Sequence, residues 1–244
     1  MKISYLREDQ HIAIVISLLE KAKNNSNFSV IDVGGAINDW SWRHVNYILD
    51  FVEPQYNASQ NNPIFVKGDI TREEGWEEIT NYVKENGKFD FSICRQTLED
   101  LNNPEFVCKK LSQISKSGFI SVPSKYSELK KGLYASLPNT RGFHHHRWIF
   151  VTKDKKVYGL PKMGWTDSFS DNDLYLVNTD LGGLTNVSAT KQELALFWKD
   201  EIKITFLIST IDNLPRDYDE NISNLSKNFE HPWDLWKHLL NNSD

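Results

Sequence analysis

The chain has 244 residues, enough for one domain with a full hydrophobic core. Its 39% hydrophobic and 25% charged residues are close to the globular average, which argues against wholesale disorder and fibrous architectures. A formal net charge of −5 argues against a dedicated nucleic-acid binder, because such proteins present a basic surface.

The sequence shows no pattern typical of a membrane span, a signal peptide or a structural metal site. No apolar run approaches the roughly 18 residues needed to span a bilayer, and the N-terminus lacks the layout of a signal peptide. Cys94 and Cys108 are too few for a disulfide framework and lack the partners of a zinc site. We therefore expect a cytoplasmic protein with no membrane, nucleic-acid or metal partner, whose oligomeric state the sequence leaves open.

The first elements in chain order are a helix and a buried strand. Apolar residues in the segment 8–23 predict a helix that packs on a sheet. The stretch NFSVIDVGG at 27–35 follows, and its β-branched Val30, Ile31 and Val33 predict a central parallel strand covered on both faces.

An acid and two glycines end that strand. Asp32 lies at its carboxyl end, which is where open α/β sheets bind their ligands. Gly34 and Gly35 have no Cβ, so the main chain can turn sharply and come close to a ligand. A strand that ends in an ordinary glycine turn explains the same residues equally well.

Further strands alternate with helical patterns. The helix after Thr71 should begin with a threonine cap and stop at Gly87. Gly118 should end the helix predicted at 97–115. The pattern predicts strands at 45–51, 64–66, 89–94 and 119–124, and helices at 74–86 and 97–115. The interval before residue 45 is too short for a full crossover helix. The alternation predicts a doubly wound, mainly parallel, Rossmann-like α/β sheet in a single domain that covers residues 1–244.

The pattern changes after residue 124. Two short apolar runs, 147–153 and 156–162, predict a β-hairpin, and we expect residues 125–186 to form an inserted cap or substrate region. The runs 193–198 and 202–209 predict strands that return to the main sheet. A final helix is predicted to start near His231.

Acids end three consecutive predicted strands, at Asp32, Asp50 and Asp69. A nucleoside ligand needs such groups, because one carboxylate can accept both ribose hydroxyls while another acid or a main-chain NH binds the adenine edge. The spacing therefore predicts a nucleoside-containing cofactor at the carboxyl ends of these strands.

Several segments, in the same order, resemble the successive motifs of class I S-adenosylmethionine-dependent methyltransferases. The segments are VIDVGG at 30–35, the acid at Asp50, GDI at 68–70, FDFSICRQTLEDLNNP at 89–104 and SKSGFISVPS at 115–124. The fourth segment is similar to the family's LEHL and DP segment, and the fifth to its segment of PGG, a strand and VP. The resemblance covers roughly residues 28–124 and implies a sheet of the seven-stranded type.

The resemblance implies transfer of a methyl group from S-adenosylmethionine to a small-molecule or glycan-like acceptor. The positions that it places at the cofactor are Gly34 and Gly35 at the methionine part, Asp50 at the ribose, Asp69 and Ile70 at the adenine, and Arg95 or Gln96 along the inner side. Asp32 completes the candidate binding set as the acid at the end of the first strand.

A histidine triplet in RGFHHHRW, at 141–148, is the candidate for catalysis. On an extended strand, His144, His146 and Trp148 would share one face, with His145 and Arg147 on the other. Because histidine changes protonation near neutrality, His144 or His146 would be the base that deprotonates the acceptor. The triplet has two other interpretations: its histidines are hydrogen-bonded loop residues, or they bind a metal ion. No familiar ligand spacing completes such a metal site, however.

Two other functions remain open at this point. A glycine turn followed by a second acid also suits an NAD(P)-dependent oxidoreductase, and Asp50 lies about 18 residues after Asp32. The segment GGAIND, however, lacks the GxGxxG pattern of that class. Ala36 and Asn38 stand where the methyltransferase family commonly has GxGxG, which keeps a non-catalytic binding module as a third alternative.

Overall fold

A computed structural model describes residues 1–22, 24, 27–35, 40–53, 63–131, 133, 136, 139–162, 190–207 and 239. Within these residues the protein is mixed α/β. Its contacts divide the chain into two compact units. The first comprises Met1–Ser4, Glu8–Val122 and Ala195–Ile202, and the second comprises Tyr5–Arg7, Pro123–Leu194 and Lys203–Asp244.

Seven strands form the main sheet, and their bounds are β1 (Lys2–Leu6), β2 (Val30–Val33), β3 (Tyr47–Asp50), β4 (Ile64–Lys67), β5 (Phe91–Arg95), β6 (Ser117–Pro123) and β9 (Glu193–Lys199). Their order in the sheet is β1-β9-β6-β5-β2-β3-β4. The neighbours β4 and β3, β3 and β2, β2 and β5, and β5 and β6 all pair in parallel. The prediction of a mainly parallel α/β sheet is therefore confirmed, and the sheet is compatible with a Rossmann-like fold.

Strand β2 lies near the middle of this sheet, and all four of its residues are buried. Its Val30 joins a hydrophobic cluster that also contains Val15 and Leu19, one turn of helix apart, and Ile93 and Phe119 from the sheet. Because both faces of β2 are buried, its sequence is an almost continuous run of β-branched residues.

Four helices are described, namely α1 (Glu8–Ala22), α2 (Glu77–Asn86), α3 (Pro104–Ile114) and the single turn α4 (Lys125–Glu128). Helix α3 begins where the Asn103 side chain accepts a hydrogen bond from the Phe106 N–H, with Pro104 in the first turn. Helix α2 ends at Gly87, which has φ +84°, as predicted. No helix among the described residues is long and apolar enough to cross a membrane.

Three local predictions about these helices were wrong. Thr71 does not cap α2, because its N–H and hydroxyl both donate to the Asp69 carboxylate. The predicted helix 97–115 is interrupted, with a 3₁₀ turn at Leu98–Asp100 before α3. Gly118 lies inside β6 rather than at a helix end, and its role is close packing, since a Cβ there would lie 2.5 Å from Ser92 Oγ.

A second sheet has three strands, β7 (Trp148–Lys153), β8 (Lys156–Pro161) and β10 (Ile204–Phe206), in the order β10-β8-β7. The hairpin β7–β8 was predicted and is confirmed, and both of its turn residues, Asp154 and Lys155, have positive φ, as in a type I′ turn. Strand β10 pairs in parallel with β8, so the expectation that it returns to the main sheet was wrong.

Some predictions fall outside the described residues. These are the irregular part of the proposed cap from residue 163 to residue 186, the final helix near His231, and the positions of Ala36 and Asn38.

Candidate functional site

The strand order of the main sheet reverses beside β2. From β2 the chain continues to β3 and β4 on one side, and then to β5 and β6 on the other. In an open α/β sheet, such a reversal leaves a crevice beyond the carboxyl ends of the two central strands, and ligands bind there. The two strands here are β2 and β5, so the candidate site lies beyond Val33 and Arg95.

Backbone hydrogen bonds hold the ends of β2, β3 and β4 together. The Gly34 N–H donates to the Leu49 carbonyl at 2.9 Å, and the Gly68 N–H donates to the Asp50 carbonyl at 2.9 Å. The glycine turn, Asp50 and the loop that carries Asp69 are consequently neighbours along one edge of the sheet. The structure therefore brings the three predicted strand ends together.

The turn after β2 packs directly against the turn after β5. Gly34 has φ +72°, and a Cβ at this position would lie 2.6 Å from Cγ2 of Thr97. The Thr97 hydroxyl lies 2.8 Å from the Arg95 carbonyl and 3.4 Å from the Gly34 carbonyl. Only glycine fits this turn, because a side chain would need both a left-handed backbone and the space that Thr97 fills.

Asp32 lies beneath the same turn. Its side chain is 2% exposed, and a Cβ at Gly35 would lie 2.7 Å from its Cγ. Burial raises the pKa of the nearby Cys94 thiol, and the charges of Cys108, Asp32 and Glu99 raise it further. Cys94 therefore stays a neutral thiol. The Asp32 side chain fills the space next to Gly35 and so supports the glycine turn.

Asp50, at the end of β3, is half-buried. Its Oδ1 accepts the Val52 N–H at 2.9 Å. Burial raises the pKa of Asp50, and main-chain hydrogen bonds from Val52 and Phe51 offset only part of that shift. Lys67, its register partner on β4, pairs with Glu53 instead, at 3.7 Å. Among the described residues, no cation pairs with the Asp50 carboxylate, so a ligand that donates hydrogen bonds would stabilise its ionised form.

Asp69 uses its carboxylate to shape its own loop. Oδ1 accepts the Thr71 hydroxyl at 2.6 Å and the Thr71 N–H at 2.9 Å, while Oδ2 lies 3.3 Å from Nε of Arg72. The two hydrogen bonds from Thr71 lower the pKa of Asp69, and its side chain remains 36% exposed. The next residue, Ile70, is 8% exposed, and its carbonyl accepts the Trp76 indole N–H at 2.9 Å.

Arg95 ends β5, and Gln96 follows the strand. The Arg95 side chain is only 15% exposed, and its guanidinium pairs with Glu8 of α1 at 2.5 Å. Gln96 has φ +48°, an uncommon conformation for a residue other than glycine, and its N–H donates to the Ser121 carbonyl at 2.9 Å. The sharp turn at Gln96 directs the chain from β5 toward Thr97.

The histidine triplet lies in the second unit and is not extended. His144 and His145 form a turn, and the His146 N–H donates to the Phe143 carbonyl at 3.2 Å. His144 and His145 are exposed, whereas His146 is only 9% exposed. The prediction that His144 and His146 share one face was therefore wrong, because a turn does not alternate its side chains as a strand does.

His146 is held by a buried carboxylate. Its Nδ1 lies 2.5 Å from Oε1 of Glu128, which is fully buried. Oε2 of Glu128 accepts the Lys162 ammonium at 2.7 Å, and Lys162 also donates to the Phe143 carbonyl at 2.7 Å. Gly142, at φ +58°, lies so close that a Cβ would be 2.5 Å from Glu128 Oε2. Both carboxylate oxygens of Glu128 therefore have hydrogen-bond partners.

Sequence reasoning missed Thr97, Glu128 and Lys162. Thr97 could have been noticed from its position three residues after a predicted strand end. Glu128 and Lys162 carry no such signal, because they lie 18 and 16 residues from His146 and belong to no motif.

Comparisons with known proteins add no family assignment. No protein-family model matches the chain, and no curated protein matches it. A function must therefore be inferred from the geometry of the site and from the resemblance of residues 28–124.

Proposed function

We propose that this protein is an S-adenosylmethionine-dependent methyltransferase for a small-molecule or glycan-like acceptor. The cofactor would bind at the carboxyl edge of a doubly wound, Rossmann-like sheet, beyond β2, β3 and β5. One observation carries the proposal: the half-buried Asp50 directly follows Leu49, whose carbonyl accepts the Gly34 N–H, on the strand next to the point where the strand order reverses.

The donor and acceptor groups at this edge suit an adenosine cofactor. A carboxylate has two oxygens and accepts hydrogen bonds without donating any, so Asp50 can bind both hydroxyls of a ribose. Those bonds would offset the burial that raises the pKa of Asp50. Asp69, whose side chain is 36% exposed, would accept the adenine amino group with its remaining acceptor capacity, and the buried Ile70 would pack beside the ring.

The chain's own part in the reaction is binding and alignment. The bound cofactor supplies an electrophilic methyl group on a sulfonium. Asp50 fixes the ribose, and the turn of Gly34 and Gly35, supported by Asp32 and Thr97, allows the main chain to approach the methionine part. Holding two reactants in line is worth several kcal/mol of barrier in such displacements, about 7 to 11 in the most favourable cases. His144 and His146 belong to the second unit, and their role as a base stays a prediction.

The test is calorimetric titration of the wild type and Asp50→Ala with S-adenosylmethionine and S-adenosylhomocysteine. We expect Asp50→Ala to weaken binding by about 1.5 to 3 kcal/mol, the range for hydrogen bonds to a charged group. Any loss of stability should be small, because burial raises the pKa of Asp50, so removal of its charge offsets the loss of the hydrogen bond from the Val52 N–H. Glu85→Gln, an exposed change on α2, is the matched control and should bind like the wild type.

NAD and NADP are titrated in parallel, because they also contain adenosine. Binding of NAD or NADP without binding of S-adenosylhomocysteine would replace the proposal with an oxidoreductase. Unchanged affinity in a folded Asp50→Ala variant would remove the ribose assignment.

A further inference from the structure

We propose that the turn His144–His146 binds one divalent transition-metal ion of the zinc class through His145 and His146, with His144 as a further donor. The ligands are the imidazoles of a single tight turn, and a buried carboxylate orients one of them. The three histidines belong to the second unit, and the proposal does not depend on methyl transfer.

The three rings are close to one another. The ring centroids of His145 and His146 are 4.5 Å apart, and those of His144 and His145 are 5.5 Å apart. A ligand nitrogen of His145 and one of His146 lie within 4.8 Å of each other. Two imidazole nitrogens that share a tetrahedral zinc ion are about 3.4 Å apart, given Zn–N distances of about 2.0 to 2.1 Å. Because His144 and His145 are exposed, rotation of their side chains can close that gap.

His146 is arranged as metal-binding histidines usually are. Such a histidine commonly uses its second ring nitrogen to bond a carboxylate, which fixes the tautomer and the ring orientation. Nδ1 of His146 bonds Glu128 at 2.5 Å, so the ring would bind the metal through Nε2. Contact with the Phe143 ring, at 4.7 Å between centroids, restricts the ring further.

Glu128 orients His146 and is not itself a metal ligand. Its other oxygen accepts the Lys162 ammonium at 2.7 Å, and the side chain is fully buried. The carboxylate therefore stays paired whether or not a metal is present. Imidazole donors favour zinc, copper, nickel and iron over magnesium and calcium, which prefer oxygen ligands.

The experiment titrates chelator-treated, tag-free protein with Zn²⁺ by calorimetry and with Co²⁺ by visible absorption. The wild type should bind one equivalent of Zn²⁺, and Co²⁺ should give a ligand-field band. The decisive variant is His145→Gln, since this exposed side chain can change without loss of fold. We expect it to weaken Zn²⁺ binding at least tenfold, with a smaller loss for His144→Gln.

Two further variants sharpen the result. Glu128→Gln, checked for fold by circular dichroism, should weaken Zn²⁺ binding by about 10- to 100-fold, the usual effect of removing a partner that orients a metal ligand. The double variant His231→Gln with His238→Gln controls for the two histidines near the end of the sequence and should bind like the wild type. Absence of saturable Zn²⁺ binding, equal affinity in His145→Gln, or loss of binding in the control variant would each overturn the proposal.

Discussion

At the scale of single residues, the candidate cofactor site depends on a turn into which only glycine fits. Gly34 combines a left-handed φ of +72° with a missing Cβ whose place Thr97 occupies. The Thr97 hydroxyl in turn bonds the Arg95 carbonyl at 2.8 Å, so the two turns beyond β2 and β5 are fixed by one side chain. Pre-formed geometry of this kind lowers the cost of binding, because less of the site must be ordered when a ligand arrives.

The packing of Gly34 against Thr97 predicts coupling between the two positions. Gly34→Ala should cost about 1 to 2 kcal/mol for the left-handed backbone and about 1 to 3 kcal/mol more for overlap with Thr97. In a Thr97→Ala background the overlap with Cγ2 and Oγ1 disappears, so the same glycine substitution should cost less. Urea unfolding of the four variants in a double-mutant cycle measures the coupling. Strictly additive costs would show that Thr97 does not restrict the turn.

At the scale of elements, one carboxylate ties together the starts of three parallel strands. Asp90 precedes β5, and its Oδ2 accepts the Ser29 N–H just before β2 at 2.9 Å. Its Oδ1 accepts the Lys116 ammonium just before β6 at 2.7 Å. Asp90 thus supports the edge of the sheet opposite the candidate site.

The pKa of Asp90 predicts how this contact responds to acid. Burial alone would raise its pKa, but hydrogen bonds and charge from Lys116 and Ser29 outweigh burial and lower it. A lowered pKa in the folded state adds stability above the ordinary aspartate value of about 3.9, and this stability is lost as the pH falls through the folded pKa. Asp90→Asn should therefore cost about 1 to 2 kcal/mol at pH 7, since Lys116 is largely exposed and screened.

The measurement for Asp90 is urea unfolding of the wild type and Asp90→Asn at several pH values between 7 and 2. The difference in unfolding free energy should shrink steadily below about pH 4. Lys116→Met should reproduce part of the loss at pH 7, because it leaves the Ser29 bonds in place. A difference that is independent of pH would mean that the charge of Asp90 is irrelevant to stability.

At the scale of the whole molecule, the two proposed ligands would bind to different compact units. The cofactor edge belongs to the unit that contains Glu8–Val122, and the histidine turn belongs to the unit that contains Pro123–Leu194. A ligand that binds only the folded protein slows local opening where it makes contact. The two ligands should consequently protect different peptides.

Hydrogen exchange measured by mass spectrometry tests that separation. S-adenosylhomocysteine should slow exchange in peptides that cover Gly34, Asp50 and residues 68–71, while Zn²⁺ should slow exchange around residues 142–147. Asp50→Ala should remove the first effect and leave the second, and His145→Gln should do the reverse. Protection by S-adenosylhomocysteine confined to the histidine turn would contradict the proposed cofactor position.

The sequence by itself determined most of the strands and the edge at which their acids lie. Buried β-branched runs are local patterns, so Val30–Val33 and the strands after it could be recognised without knowledge of their partners. Carboxyl ends of parallel strands meet at one edge, and for that reason Asp32, Asp50 and Asp69 could be expected near one another. The β7–β8 hairpin was likewise predictable, because its two strands are joined by a two-residue turn.

Only the tertiary structure decided which sheet β10 joins, what Gly118 is for, and how the histidines are held. Strand β10 has an apolar pattern that suits either sheet, and its place depends on the edge of β8 that does not pair with β7. Gly118 is fixed by the neighbouring Ser92, which no local pattern reveals. Glu128 and Lys162 meet His146 across 18 and 16 residues of chain, and such pairings arise from folding in three dimensions, because no sequence period encodes them.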